Sequence, residues 1–170
     1  IRYALLFHIL TFVRPGELRH AEWSEIKRDD AVWEIPPEKM KKKRAHVVPL
    51  SRQALEIIDR LFTFTGRNRY LFPGWGTAKP ISEVTMNAAL RRLGYDTGKD
   101  ITSHGVRAMA RTLLHERLNF PPEVIEHQLA HAVPDTLGEA YNRTKFIEER
   151  KAMMQAWADY LDTLRALPTA

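Results

Sequence analysis

The chain has no cysteine in its 170 residues. That removes disulfides, thiolate metal sites and thiol nucleophiles, and makes a reducing cytoplasmic compartment the simplest expectation. A long apolar run is also missing. The longest, Tyr3 to Val13, is interrupted by His8 and is about half of what a membrane span requires. It has neither the basic start nor the small-residue cleavage site of a signal peptide. An apolar helix opening at Ile1, where a methionine would stand, leads us to expect a piece of a longer protein whose N-terminal portion precedes it. There is no glycine-rich phosphate loop of the Walker type and no carboxylate cluster suited to magnesium, so no nucleotide, metal or other cofactor is expected. Repeats and low-complexity stretches are absent too.

What is present is an ordinary globular composition with a basic balance. Twenty-six lysines and arginines against 21 aspartates and glutamates give a net charge of +5 and a pI near 9.6, which favours a polyanionic partner without specifying one. The length suits one well-packed domain, 1–170, rather than two.

Residues 1–13 read as a buried helix, and Pro15 suits the first position of a second helix through Glu17, Leu18 and Ala21, with Arg14 at the junction. Between Trp23 and Leu50 the period changes to two. Ala31–Ile35 and His46–Leu50 read as strands, with Asp29-Asp30 a turn before them and the basic stretch Lys39 to Arg44 joining them, so a small antiparallel sheet is expected in the N-terminal third. Ser51 is a helix N-cap before Leu55, Ile58 and Phe62 on one face, and Ser82 another before Met86, Ala89 and Leu93. Gly66 to Pro80 is loop-like. His104 introduces a helix carrying Val106, Met109, Leu113 and Leu114, Pro121-Pro122 opens one through Leu129, and Pro134 breaks it. Met153, Trp157, Leu161 and Leu164 form an apolar stripe on the last helix. The fold class is therefore α+β, mostly α-helical.

The chemistry-bearing residues are His104-Gly105-Val106-Arg107, then His131, then Tyr141 within Ala140-Tyr141-Asn142-Arg143, with Arg14 upstream. A phosphodiester under attack gathers negative charge on its non-bridging oxygens. Two arginines grip such oxygens bidentately without losing their protons. Each part has a plainer reading: His104 and Arg107 as a helix-start histidine and an exposed arginine, Tyr141 as a half-buried packing residue, the lysine run as a solvated hairpin tip. His127 and His131 stand four apart on a helix, as in a zinc protease, but Gln128 occupies the position of the required glutamate. With no third ligand in view, no metal site is expected; His131 is the better phosphate donor and His127 an ordinary surface residue.

Arg14-Pro15-Gly16-Glu17-Leu18, Met40-Lys41 through His46-Val47-Val48-Pro49-Leu50-Ser51, His104-Gly105-Val106-Arg107, Leu129-Ala130-His131 and Ala140-Tyr141-Asn142-Arg143 together resemble the tyrosine recombinase family, in particular integrases of prophages and satellite phages. Singly each motif is weak, but five in order across nearly the whole chain are specific. The resemblance implies that family's catalytic-domain fold, with Arg14 and Arg107 as phosphate clamps, Lys41 as general acid, His104 and His131 as accompanying histidines, Tyr141 as nucleophile and Glu17 as a supporting carboxylate. Lys41 falls eight residues before Pro49, as in the family, while Lys39, Lys42 and Lys43 stand close enough to leave the acid open. Lys39, Lys42, Lys43 and Arg44 are otherwise expected on the DNA backbone.

The resemblance further implies site-specific recombination of double-stranded DNA through a 3'-phosphotyrosyl link, as in prophage integration and excision, by a homotetramer on two duplexes in the bacterial cytoplasm at the nucleoid. The isolated piece is expected to be a monomer without DNA, and residues 146–166 either complete their own core or pack on a neighbour. A type IB topoisomerase, a DNA-binding module without catalysis and a metal-dependent hydrolase are the rival readings.

Overall fold

The computed structural model describes residues 1–76, 78–131 and 146–166. Helix α1 (Arg2–Thr11) buries Ala4, Phe7, His8 and Leu10. It stops at Phe12, whose φ of 40° is left-handed and whose N–H returns to the His8 carbonyl at 2.7 Å. That conformation is uncommon for a residue with a bulky side chain and reverses the chain sharply. Pro15 then opens helix α2 (Pro15–Arg19) at its first position, where the missing N–H costs nothing.

A 3-10 turn at Trp23–Glu25 leads into three antiparallel strands, β1 (Ile26–Lys27), β2 (Val32–Ile35) and β3 (His46–Pro49), in the order β1-β2-β3. Trp33 faces Ile26 on one side and Val48 on the other. The two expected strands are present. β1 adds a third that is only two residues long, too short for alternation to register.

Ser51 caps helix α3 (Arg52–Thr65), its Oγ accepting from the Ala54 N–H at 3.3 Å. The buried face is Ala54, Ile57, Ile58 and Leu61, so Ile58 lies where expected while Ile57 and Leu61 take the places expected of Leu55 and Phe62. Phe62 lies outside the core, its ring edge-on to Trp23 at 5.3 Å. Helix α4 (Thr85–Arg92) starts later than a cap at Ser82 predicts, because the Ser82 hydroxyl bonds the Thr85 hydroxyl at 2.8 Å instead of a backbone N–H. Its Met86 and Ala89 are buried and Leu93 is exposed. Helices α5 (Gly105–Glu116), α6 (Pro122–Gln128) and α7 (Ile147–Ala166) follow; Pro134 lies outside the described residues. On α7 the stripe holds at Met153 and Trp157 and is joined by Met154 and Ala158, but Leu164 is exposed.

The buried side chains form two clusters. One gathers α1, the sheet and α3 around Phe7, Trp33 and Leu61. The other gathers α5, α6 and α7 around Phe12, Leu114 and Trp157. Helix α1 belongs to both, and α7 is tied across the join by Trp157 Nε1–H on the Ile9 carbonyl at 2.9 Å and by Gln53 Nε2 on Asp159 and Asp162 at 2.8 Å each. No helix among the described residues is long and apolar enough to cross a membrane.

Candidate active site

Arg14 stands as N-cap of α2, and Glu17, three residues on, fixes it twice. One carboxylate oxygen accepts from the Arg14 backbone N–H at 2.9 Å and the other from its Nη1 at 2.8 Å. The first of these is the backbone half of a capping box; the second replaces its other half with an ion pair, since a guanidinium can only donate. Glu17 is 4% exposed and Arg14 20%, so the carboxylate lies beneath and the guanidinium faces the cleft.

Arg107, on the first turn of α5, is 7% exposed, against the plainer reading of an arginine on the helix surface. Its Nη1 donates to the Phe12 carbonyl at 2.8 Å and its Nη2 to the Leu129 carbonyl at 2.7 Å. Phe12 ends α1 and Leu129 ends α6, so the guanidinium bridges the negative ends of two helices. Burial, then the neighbouring Arg14 charge, pushes its pKa down to about 10, and it remains a cation at neutral pH. Two of its five N–H groups are committed to these carbonyls.

The loop before α5 is pinned from both sides. His8 Nε2–H donates to the Ser103 carbonyl at 2.6 Å, and the Ser103 N–H donates to Asn87 Oδ1 at 2.8 Å. Burial drives the His8 pKa down to about 4, so the ring is neutral and its Nε2 carries the proton this bond needs. His104 follows as the exposed N-cap of α5.

The basic stretch divides by position. Lys39 Nζ is held by the His20 carbonyl and Glu22 Oε1 at 2.7 Å each and by Glu25. Its three protons therefore face three oxygens within the protein, not the solvent expected of a DNA-facing lysine. Met40 is buried and anchors the hairpin. Lys41, Lys42, Lys43 and Arg44 are exposed, and Lys41 lines the same cleft, about 610 Å³, as Arg14 and His104.

Past α6, Ala130 takes a left-handed φ of 51°, and His131 turns back to place Nδ1 2.5 Å from Glu126 Oε2. Burial acts to raise the Glu126 pKa, but hydrogen bonds from Arg111 and His131 hold it below the usual carboxylate range. Nε2 is left as the other hydrogen-bonding atom of the His131 ring. His127, expected on the surface, is buried with its ring edge against Phe146 at 5.3 Å. Among the described residues no three His, Asp or Glu side chains come together to hold a metal. Tyr141, Asn142 and Arg143 lie outside the described residues.

Three residues around the site lie outside every motif, His8, Glu126 and Arg150, and a fourth, His46, stands in a motif without an assigned role. His8 left a trace, a polar residue interrupting an apolar run. The bonds of His46 and Arg150 left none, because their partners stand 82 and 103 positions away.

Set against known proteins, the chain matches the phage integrase family model over residues 1–148. It is 42% identical to the integrase of Enterobacteria phage P4 across 96% of its length, and 42% identical to prophage integrase IntZ of Escherichia coli K12 across 98%. The integrase from mycobacterium phage Brujita superposes with a TM-score of 0.67 at 14% identity, over 91% of this chain and 50% of that one. The chain belongs to the phage integrase family, and its fold is that of a tyrosine recombinase catalytic domain. It spans 40% of the length of each of the two integrases matched by sequence.

Proposed function

We propose that residues 1–170 form the catalytic domain of a tyrosine-type site-specific recombinase that cuts and rejoins double-stranded DNA during prophage integration and excision. The observation that carries this reading is the pair Arg14 and Arg107. Both guanidiniums are fixed by internal acceptors, and they lie close enough that the charge of one depresses the pKa of the other. An anion seated between them relieves that repulsion, and a phosphodiester gains more charge to neutralise as it is attacked.

In the proposed reaction the Tyr141 phenol attacks the scissile phosphorus, the phosphorus–O5' bond breaks, and the 5'-oxygen leaves with a proton from Lys41. The phenol proton is lost to a base, for which His104 and His131 are the candidates. The 5'-hydroxyl of another strand then attacks the 3'-phosphotyrosine, restoring a phosphodiester and releasing the phenol. Bond energy is retained in the covalent link, so neither nucleotide nor metal enters the balance. Lys41 and Lys43 both line the cleft, whereas Lys39, at its edge, is occupied by Glu22 and Glu25; the position of Lys41 eight residues before Pro49 favours it for this role. Lys42, Lys43 and Arg44 are proposed to meet the DNA backbone. Assembly as a homotetramer on two duplexes, at the nucleoid in the bacterial cytoplasm, belongs to the same proposal.

The test is incubation with a nicked duplex that traps the cleaved state, followed by a denaturing gel and mapping of the modified residue. An adduct at Tyr141 is expected. Tyr141→Phe is expected to abolish it while leaving DNA affinity nearly unchanged, since only a hydroxyl is lost. An adduct formed by that variant overturns the assignment.

A further inference from the structure

The end of α6 is gripped from three directions. His46, on β3, donates through Nε2–H to the Gln128 carbonyl at 3.0 Å. Arg107, on α5, donates to the next carbonyl, Leu129. Arg150, on α7 and 1% exposed, donates to Gln128 Oε1 twice, from Nε at 3.0 Å and Nη2 at 2.8 Å, and reaches the Val47 carbonyl on β3 as well. Three separate elements thus converge on two consecutive residues, and His131 follows two positions later.

The Gln128 side chain is 98% buried by its 2% exposure, and its Nε2 has no hydrogen-bond partner among the described residues. A buried amide with one end unmatched carries a cost. What it contributes is an acceptor for the Arg150 guanidinium, which would otherwise be a buried cation short of a partner.

We propose that Gln128, through its Oε1 bond to Arg150, is a positioning residue that holds the α6 terminus where the Leu129 carbonyl orients Arg107 and where His131 meets the scissile phosphate. This rests on the proposed recombinase function. Gln128 touches neither DNA nor the reacting atoms; it acts through the placement of Arg107 and His131. Its loss therefore weakens stabilisation of charge on the non-bridging oxygens and leaves leaving-group protonation by Lys41 alone.

The experiment compares single-turnover cleavage by the full chain on two nicked duplexes, one with a scissile phosphodiester and one with a methylphosphonate, whose phosphoryl group carries no charge. Gln128→Met keeps the volume and removes the acceptor, whereas Gln128→Glu keeps the acceptor. Gln128→Met is expected to cleave the phosphodiester about tenfold to a hundredfold more slowly, the scale on which remote misplacement acts, and to approach the wild-type rate on the methylphosphonate. Gln128→Glu is expected to stay near wild type on both. Arg150→Lys, which keeps the charge and loses the two-pronged grip, is expected to repeat the Gln128→Met pattern and carries the test if that variant does not fold. Equal slowing on both substrates, no slowing on the phosphodiester, or equal slowing by Gln128→Glu overturns the proposal. Absence of any adduct from the wild-type chain overturns the recombinase reading itself, and this inference with it.

Discussion

At the scale of single residues, the site depends on cations whose partners are decided before any substrate arrives. Arg107 illustrates this best, since its fork spans the Phe12 and Leu129 carbonyls. Arg107→Lys keeps the charge but offers an ammonium that cannot reach both carbonyls and a phosphate together. Its cleavage rate is expected to fall by about a hundredfold to a thousandfold, the range for removing one preorganised donor, with DNA affinity changed far less. Gel-based cleavage kinetics beside a binding titration checks this; a parallel loss of binding and rate points to a general electrostatic role instead. The identities of Arg14, Glu17, Arg107 and His131 were legible in the sequence because their motifs are local. What holds Arg107 and the His104 loop was not, because Phe12 and His8 stand 95 positions from Arg107 and Ser103.

At the scale of elements, the boundaries that could be read were those set by local chemistry. Ser51 before α3 and Pro15 at the start of α2 act on the backbone within three residues, and both stand where expected. Ser51→Ala is expected to cost about 1 kcal/mol, the usual loss on removing a helix N-cap, seen as a lower urea midpoint with an unchanged slope. An unchanged midpoint shows that the 3.3 Å bond contributes nothing. Which face of a helix is buried is decided elsewhere. Leu55 and Phe62 fit an apolar stripe on α3 as well as Ile57 and Leu61 do, and only docking against α1 and α7 selects the second arc. β1 was invisible for a related reason, because two residues become a strand only when Trp33 and Val32 arrive opposite them.

At the scale of the whole molecule, two histidines make stability depend on pH. Burial, foremost, pushes the pKa of His8 down to about 4 and that of half-buried His46 to about 3. Both stay neutral in the folded chain where the unfolded chain, with ordinary values near 6.5, takes up protons. Stability is therefore full above pH 6.5 and declines as pH falls, by about 1.4 kcal/mol per unit for each histidine, until the decline ends near pH 4 and pH 3. Glu22, lowered to about 2 chiefly by its hydrogen bond from Arg69, adds a loss that begins below pH 4.5. Urea midpoints measured from pH 7 to pH 5 are expected to drop steadily, and His8→Gln, which keeps an N–H donor, is expected to remove about half of the slope. A flat profile means that the two rings take up protons over the same pH range in the folded chain as in the unfolded one.

The bridge formed by Arg107 between the ends of α1 and α6 also governs when the site comes into being. Its two acceptors lie 95 residues before it and 22 after it, so both loops must close before the guanidinium is held. Contacts of such separation form late in folding. A chain emerging from the ribosome has α1 and Arg14 early, but it lacks a seated Arg107 until residue 129 has been made and α6 has docked. Synthesis and folding together thus withhold the proposed second phosphate clamp from any partly made molecule.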